Sequence, residues 1–94
     1  MAVTRLPFER SWQRAGRTIE IADLRAAFFR IALARWGVHP PVTVRGIRRG
    51  ALRLETSSAP WRTELLWSET GLCHALAQEL PGLGSLRGIS VFLH

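Results

Sequence analysis

The amino-acid sequence predicts an α+β domain in which helices cover one face of a three-stranded sheet. Apolar residues recur at helical spacing in two long stretches, at residues 21–36 and at about 59–80. Three short segments are rich in β-branched residues or alternate apolar and polar side chains, as strands do. The predicted order is helix, strand, strand, helix, strand. With 94 residues, the chain is long enough for one hydrophobic core and no more.

The N-terminal boundary of this domain is predicted at residue 18. Residues 1–17 are basic and are expected to form an arm or a short helix around Phe8–Ala15, and residues 18–94 form the single domain. Thr18 is a candidate cap for the first long helix, Ile21–Trp36. Gly37 and the following prolines end that helix.

A β-hairpin is predicted next. Pro41–Ile47 and Ala51–Thr56 have strand patterns, and Arg48-Arg49-Gly50 between them is expected to form the turn. Ser57 or Ser58 then caps a second long helix. This helix is expected to run to about Leu80 with Gly71 as a weak point, and the last strand is predicted at Arg87–Leu93.

The basic residues are unevenly distributed. All 13 are arginines, against seven acidic residues, for a net charge of +6. The absence of lysine excludes a Walker-type phosphate loop and Schiff-base catalysis. Residues 1–50 hold ten arginines and three acids (net +7), and residues 51–94 hold three arginines and four acids (net −1). A basic front half favours a polyanionic partner such as nucleic acid. The alternative is that scattered arginines only keep a small domain soluble.

One face of the predicted sheet is a candidate platform for single-stranded nucleic acid. If Val42, Val44, Leu52 and Leu54 face the helices, the other face carries Thr43, Arg45, Ile47, Arg53, Glu55 and Phe92. Bases can stack on the aromatic ring while guanidinium groups pair with phosphates. The candidate nucleic-acid-binding residues are Arg14, Arg17, Arg45, Arg48, Arg49, Arg53 and Phe92. The alternative is a solvated outer face with one exposed phenylalanine.

The first helix has a wider apolar face than packing on a sheet requires. Phe29, Leu33 and Trp36 form a second stripe beside the core stripe of Leu24, Phe28 and Ile31. The N-terminal segment covers this surplus through Leu6, Phe8 or Trp12, or a partner protein does. Trp67 falls opposite the core face of the second helix. The candidate partner-binding residues are Trp67, Phe29, Leu33 and Trp36.

Catalysis is not expected. The three histidines are widely separated, and Cys73 is the only cysteine, so we expect no metal site, no cofactor and no catalytic residue. A single cysteine forms no internal disulfide, and no run of about 18 apolar residues is present. The expected location is therefore the cytoplasm, without membrane contact.

The stretch from Val42 onward resembles a known family. Its distinctive element is Ser58-Ala59-Pro60-Trp61-Arg62-Thr63-Glu64-Leu65, which follows Gly50-Ala51-Leu52-Arg53-Leu54. Together with Leu72, Leu76 and Leu80, a closing Ile89-Ser90-Val91 strand and an approach His39-Pro40-Pro41-Val42, they resemble the DciA family of bacterial replicative-helicase loaders over about 55 residues.

The resemblance implies a KH-like fold that lacks the GXXG clamp of RNA-binding KH domains. It further implies a non-enzymatic partner of the ring-shaped helicase DnaB that helps to place the ring on single-stranded DNA. By this resemblance we expect the chain to be a short form without the family's C-terminal extension, and we hypothesise that the arginine-rich start replaces that extension. Two other classes stay open: a general RNA- or DNA-binding module without a helicase partner, and a homodimerising scaffold.

Overall fold

The computed structural model describes residues 11–14 and 17–94, and side chains from Ile19 onward. It is an α+β fold with three helices and a three-stranded mixed sheet, preceded by a small two-stranded hairpin. The elements in chain order are β1 (Ser11–Arg14), β2 (Arg17–Glu20), α1 (Ile21–Trp36), β3 (Val42–Arg48), β4 (Ala51–Thr56), α2 (Ala59–Trp67), α3 (Glu69–Glu79), a 3₁₀ turn (Pro81–Leu83) and β5 (Gly88–Leu93).

The N-terminal region differs from the prediction. Ser11–Arg14 is a strand that pairs antiparallel with Arg17–Glu20, so a helix over Phe8–Ala15 is wrong for the part that is described. Residues 1–10, 15 and 16 lie outside the described residues. Thr18 belongs to β2 and does not cap α1, since the N-cap position is Glu20, whose side chain makes no capping hydrogen bond. A two-residue connection suits an antiparallel hairpin, and this local pairing replaces the predicted helix.

Helix α1 has the predicted bounds. Gly37 ends it in the left-handed conformation (φ 75°) and donates its N–H to the Leu33 carbonyl at 2.8 Å. The buried side of α1 comprises Ile21, Leu24, Ala27, Phe28 and Ala32. These residues pack with the inward residues of the sheet into one core cluster.

The three-stranded sheet has β4 in the middle. β3 and β4 form the predicted antiparallel hairpin, and β5 pairs parallel to β4. Arg49 (φ 53°) and Gly50 (φ 81°) form the two-residue turn, with Arg48 opposite Ala51. Because β4 and β5 run in the same direction, the start of β5 lies beside this turn, with Gly88 opposite Ala51.

The structure differs from the predicted outer face at one position, Ile47, because β3 contains a β-bulge. Val44 pairs with Leu54, whereas Gly46 pairs with Arg53 and Ile47 with Leu52, so β3 carries one extra residue. Beyond the bulge the side chains change face, and Ile47 is only 8% exposed and belongs to the core. The inward positions Val42, Val44, Leu52 and Leu54 are buried as predicted.

The second long helix is divided in two. α2 ends at Trp67 and α3 begins at Glu69, with the buried Ser68 between them, so the break lies at Ser68 rather than at Gly71. The Ser58 hydroxyl accepts a hydrogen bond from the Trp61 N–H at 3.2 Å, which confirms the predicted cap. Gly71 lies within α3, where a Cβ would lie 2.9 Å from Nη1 of Arg35, so this glycine leaves room for the Arg35 guanidinium.

Side chains from the helices bond the outer backbone of both edge strands. On β3, Arg25 Nε donates to the Val44 carbonyl at 3.2 Å. On β5, the Glu69 carboxylate accepts the Ile89 N–H at 2.8 Å, and Arg62 Nε donates to the Val91 carbonyl at 3.3 Å. These bonds reduce the capacity of both edges to pair with a further strand.

In residues 11–14 and 17–94, no helix combines the length and apolar character needed to cross a membrane.

Candidate nucleic-acid interface

The open face of the sheet brings together three of the seven predicted nucleic-acid-binding residues, Arg45, Arg53 and Phe92. Thr43, Glu55 and Phe92 lie in one row across β3, β4 and β5. Phe92 is 45% exposed, and the Arg53 guanidinium lies over its ring, 4.9 Å from the centroid. A cation stacked on an exposed ring makes a shelf that presents both a π surface and a positive charge.

The Glu55 carboxylate lies on the same face. Glu55 Oε1 lies 3.5 Å from Arg45 Nε, and Glu55 Oε2 lies 3.6 Å from Nε2 of His94. A shallow depression of about 310 Å³ is lined by Arg45, Arg53, Glu55 and Phe92. We call these four residues the sheet-face site.

A second arginine cluster surrounds the hairpin turn. Arg48, Arg49 and Arg87 line a depression of about 250 Å³, together with Ala51, Gly88 and Ile89. Arg87 donates from Nη1 to the Arg49 carbonyl at 3.2 Å, and its N–H donates to the Gly50 carbonyl at 2.7 Å. Among the described residues, no carboxylate forms an ion pair with any of these three arginines. Their charges are therefore available to an external anion.

We call Arg48, Arg49 and Arg87 the turn cluster. Arg87 was not among the predicted nucleic-acid-binding residues. The residue was predicted only as the start of the last strand, far along the chain from Arg48 and Arg49. Parallel pairing of β5 with β4 brings it to the turn. A signal was present, because the helix between two such strands is the connection that parallel pairing requires.

The two remaining candidates, Arg14 and Arg17, lie in the N-terminal hairpin. They are register partners at its turn end, and the hairpin contacts the 3₁₀ turn and, through β2, also α1. Their side chains are outside the described part of the structure, so the hairpin's role in binding stays a prediction.

The predicted partner-binding residues divide into two groups. Trp67 is 84% exposed and Leu33 is 46% exposed, so both are available to a partner. Phe29 and Trp36 are half-buried and take part in packing. Phe29 contacts Phe28 edge-on at 5.3 Å and the His39 ring at 5.6 Å.

Trp36 joins the end of α1 to α2. Its ring lies edge-on to that of Trp61, with centroids 5.1 Å apart, and its Nε1 donates to Glu64 at 3.0 Å. These residues and Pro60 line an open cleft of about 330 Å³. By helical spacing, Pro60, Glu64 and Trp67 share one face of α2, so Trp67 stands beside this tryptophan cleft.

Within the described residues, no three histidine, cysteine, aspartate or glutamate side chains come together as metal ligands. The pKa of the half-buried Cys73 thiol is raised mainly by burial and, to a smaller extent, by the nearby Glu69 carboxylate. The thiol therefore stays protonated and weakly nucleophilic near neutral pH.

The sequence matches no protein-family model, and no curated protein and no solved structure is detectably similar to it.

Proposed function

We propose that this protein binds single-stranded DNA and, without catalysis, assists the loading of a DnaB-type replicative helicase. The observation that carries the DNA half is the pairing of Arg53 with the exposed Phe92 ring, next to three arginines that have no carboxylate partner among the described residues. Single-stranded nucleic acid is bound by this combination, since bases stack on the aromatic surface and phosphates pair with the cations.

The sheet-face site and the turn cluster are suited to different parts of one strand. Arg53 and Phe92 offer stacking area at the middle of the open face, while Arg48, Arg49 and Arg87 gather positive charge at the end where β4 and β5 begin. One guanidinium group can donate two hydrogen bonds to the oxygens of a phosphate. The turn cluster therefore suits the DNA backbone rather than the bases.

The helicase half rests on the resemblance to the DciA family. The order α1, β3–β4 hairpin, α2–α3, β5 is compatible with the KH-like domain that the resemblance implies. In the shared motif, Ser58 caps α2, Trp61 packs on Trp36, and Glu64 accepts the Trp36 N–H. The motif therefore stabilises the junction of α1 with α2, beside which Trp67 is exposed as the proposed helicase contact.

The mechanism is a shift of populations. A factor that binds the helicase ring more tightly in its DNA-engaged or opened state increases the population of that state without consuming nucleotide. The protein would meet DNA with the open sheet face and the helicase with the exposed side of α2.

The DNA-binding proposal is tested with a matched pair of double variants. Arg48→Ala plus Arg49→Ala removes two charges from the turn cluster. Arg30→Ala plus Arg35→Ala removes two charges from α1, where Arg30 is already paired with Glu79. We expect the turn variant to bind a single-stranded oligonucleotide roughly ten-fold more weakly and to lower the salt slope by about 1.4. Equal losses in the two variants would show that only net charge matters and would contradict this site.

The helicase proposal is tested by binding to purified DnaB and by unwinding of DNA coated with single-strand-binding protein. We expect the protein to bind DnaB and to raise unwinding, and Trp67→Ala to remove both effects. Leu93→Ala, which also removes an exposed apolar side chain, serves as the control. DNA binding without any DnaB binding or stimulation would leave the general nucleic-acid-binding module as the function.

A further inference from the structure

We propose that the sheet-face site selects guanine, with Glu55 accepting hydrogen bonds from the base while the base stacks on Arg53 and Phe92. The proposal rests on the proposed binding of single-stranded DNA and specifies which base that site prefers. It starts from the position of Glu55, a carboxylate in the middle of a surface otherwise suited to a polyanion.

The position of Glu55 suits a carboxylate that accepts hydrogen bonds from the edge of a stacked base. Glu55 and Phe92 are register partners on neighbouring strands, and such strands lie about 4.8 Å apart. A base that stacks on the shelf made by Arg53 and Phe92 therefore has its edge within reach of the Glu55 carboxylate. All three residues line the same depression, whose volume of about 310 Å³ accommodates a single base.

Glu55 retains acceptor capacity for such a ligand. Its contacts with Arg45 and His94, at 3.5 and 3.6 Å, are longer than the 2.7–2.9 Å of charge-assisted hydrogen bonds. A carboxylate has about four lone-pair sites, and these two contacts leave most of them open. Arg45 lies near one oxygen of the carboxylate and His94 lies near the other.

The chemistry of the base edges selects guanine. Guanine presents two adjacent donors, N1–H and the N2 amino group, which match the two oxygens of a carboxylate. The amino groups of adenine and cytosine each stand beside a ring nitrogen that accepts hydrogen bonds, and this nitrogen repels an anionic oxygen. Thymine offers one N–H between two carbonyls. Unpaired bases expose these edges, so a single strand can be read in this way.

The test is fluorescence anisotropy with single-stranded oligonucleotides of about 12 nucleotides, in sodium buffer at fixed ionic strength. The probes are oligothymidine and alternating copolymers of thymine with guanine, inosine, adenine or cytosine. We expect the guanine probe to bind about five-fold more tightly than the adenine, cytosine and thymine probes, the low end of the range for a bidentate contact. Inosine, which lacks the N2 amino group, is expected to fall between them.

Glu55→Gln separates recognition from plain electrostatics. We expect this variant to lose the preference for guanine and to bind oligothymidine at least as tightly as before, because a negative charge has been removed. Glu79→Gln removes an equal charge from α3 and is expected to keep the preference.

Equal binding of all probes by the unaltered protein, or a guanine preference that survives Glu55→Gln, would overturn the base-selection proposal and leave DNA binding intact. Failure to bind any probe would overturn DNA binding as well.

Discussion

Arg49 and Gly50 have left-handed backbone conformations, and the turn they form organises the arginine cluster. The Gly50 carbonyl accepts the Arg87 N–H, and the Arg49 carbonyl accepts a hydrogen bond from the Arg87 guanidinium. A Cβ on Gly50 would lie 3.0 Å from the Arg87 side chain. Glycine at this position therefore serves both the turn and the close packing of Arg87.

Two glycine substitutions separate these two effects. Gly37→Ala places a side chain at φ 75° in open space, so only the backbone conformation opposes it, at about 1 kcal/mol. Gly50→Ala adds the contact with Arg87, and we expect a loss of about 2 kcal/mol in the free energy of unfolding. Urea denaturation measures both variants. Equal losses would mean that Arg87 moves aside freely and does not fix the turn.

The proposed stacking role of Phe92 predicts a salt dependence different from that of the arginines. Phe92→Leu keeps an apolar side chain at the site and removes the ring beneath Arg53. We expect the affinity for a single-stranded oligonucleotide to fall by about 1 kcal/mol while the salt slope is unchanged, because no phosphate contact is lost. A salt titration of this variant beside the turn-cluster double variant makes the comparison. A slope that changes equally in both would contradict the division of roles.

At the scale of elements, the sheet edges are controlled by side chains of the helices. Glu69, at the start of α3, accepts the N–H of Ile89 on β5. A Cβ on Gly88 would lie 2.5 Å from Oε2 of this carboxylate, so a larger residue there would displace the Glu69 side chain. One residue thereby ties α3 to the last strand and satisfies an edge donor.

Removal of that acceptor is expected to destabilise the fold. Glu69→Ala leaves the Ile89 N–H without its partner, and we expect a loss of about 1–3 kcal/mol in the free energy of unfolding. Glu69→Gln keeps an acceptor oxygen and is expected to cost less than half as much. Thermal or urea unfolding distinguishes them, and similar losses for both variants would show that the charge, not the hydrogen bond, is important.

The elements that the sequence predicted correctly are those with local signals. Gly37 ends α1, Ser58 caps α2, and the β3–β4 turn follows from its neighbours along the chain. The burial of Ile47 depends on a bulge, which single-residue alternation does not reveal. The strand at Ser11–Arg14 depends on pairing with β2, and such pairing overrides local helix preference.

The candidate site was also predicted only in part, because sequence patterns show local structure and not the pairing of distant segments. Arg45, Arg53 and Phe92 alternate outward from strands whose faces follow from periodicity, and the structure places them together. Arg87 joins the turn cluster only through the parallel register of β4 and β5. The helical pattern of α1 left open what covers Phe29 and Trp36, because this pattern does not show which neighbouring ring packs on them.

At the scale of the whole molecule, the proposed DNA and helicase surfaces belong to different layers. The arginines of the sheet-face site project from the side of the sheet away from the core, and Trp67 projects from the helices. We therefore expect Trp67→Ala to leave oligonucleotide affinity unchanged, and DnaB and DNA to bind at the same time. Size-exclusion chromatography with labelled DNA detects the ternary complex, and mutually exclusive binding would contradict separate surfaces.

The side-chain hydrogen bonds at the sheet edges limit the ways in which two copies of the chain can associate. Arg25, Glu69 and Arg62 bond outer backbone groups of β3 and β5, which reduces the capacity of these edges for strand pairing and favours exposed apolar side chains as the contact in a homodimer. Sedimentation at several protein concentrations measures this directly. We expect any dimer to weaken on Trp67→Ala, because this is the most exposed large apolar side chain described.

The central claim is that single-stranded DNA lies on the open sheet face and the turn cluster. Backbone amide shifts in an NMR titration with a single-stranded oligonucleotide test it most directly. We expect the largest changes at Thr43, Arg45, Arg48–Gly50, Arg53, Glu55, Arg87 and Phe92, and small changes along α1 and α3. Shifts confined to the helices, with the sheet face and the turn unaffected at saturation, would contradict the claim.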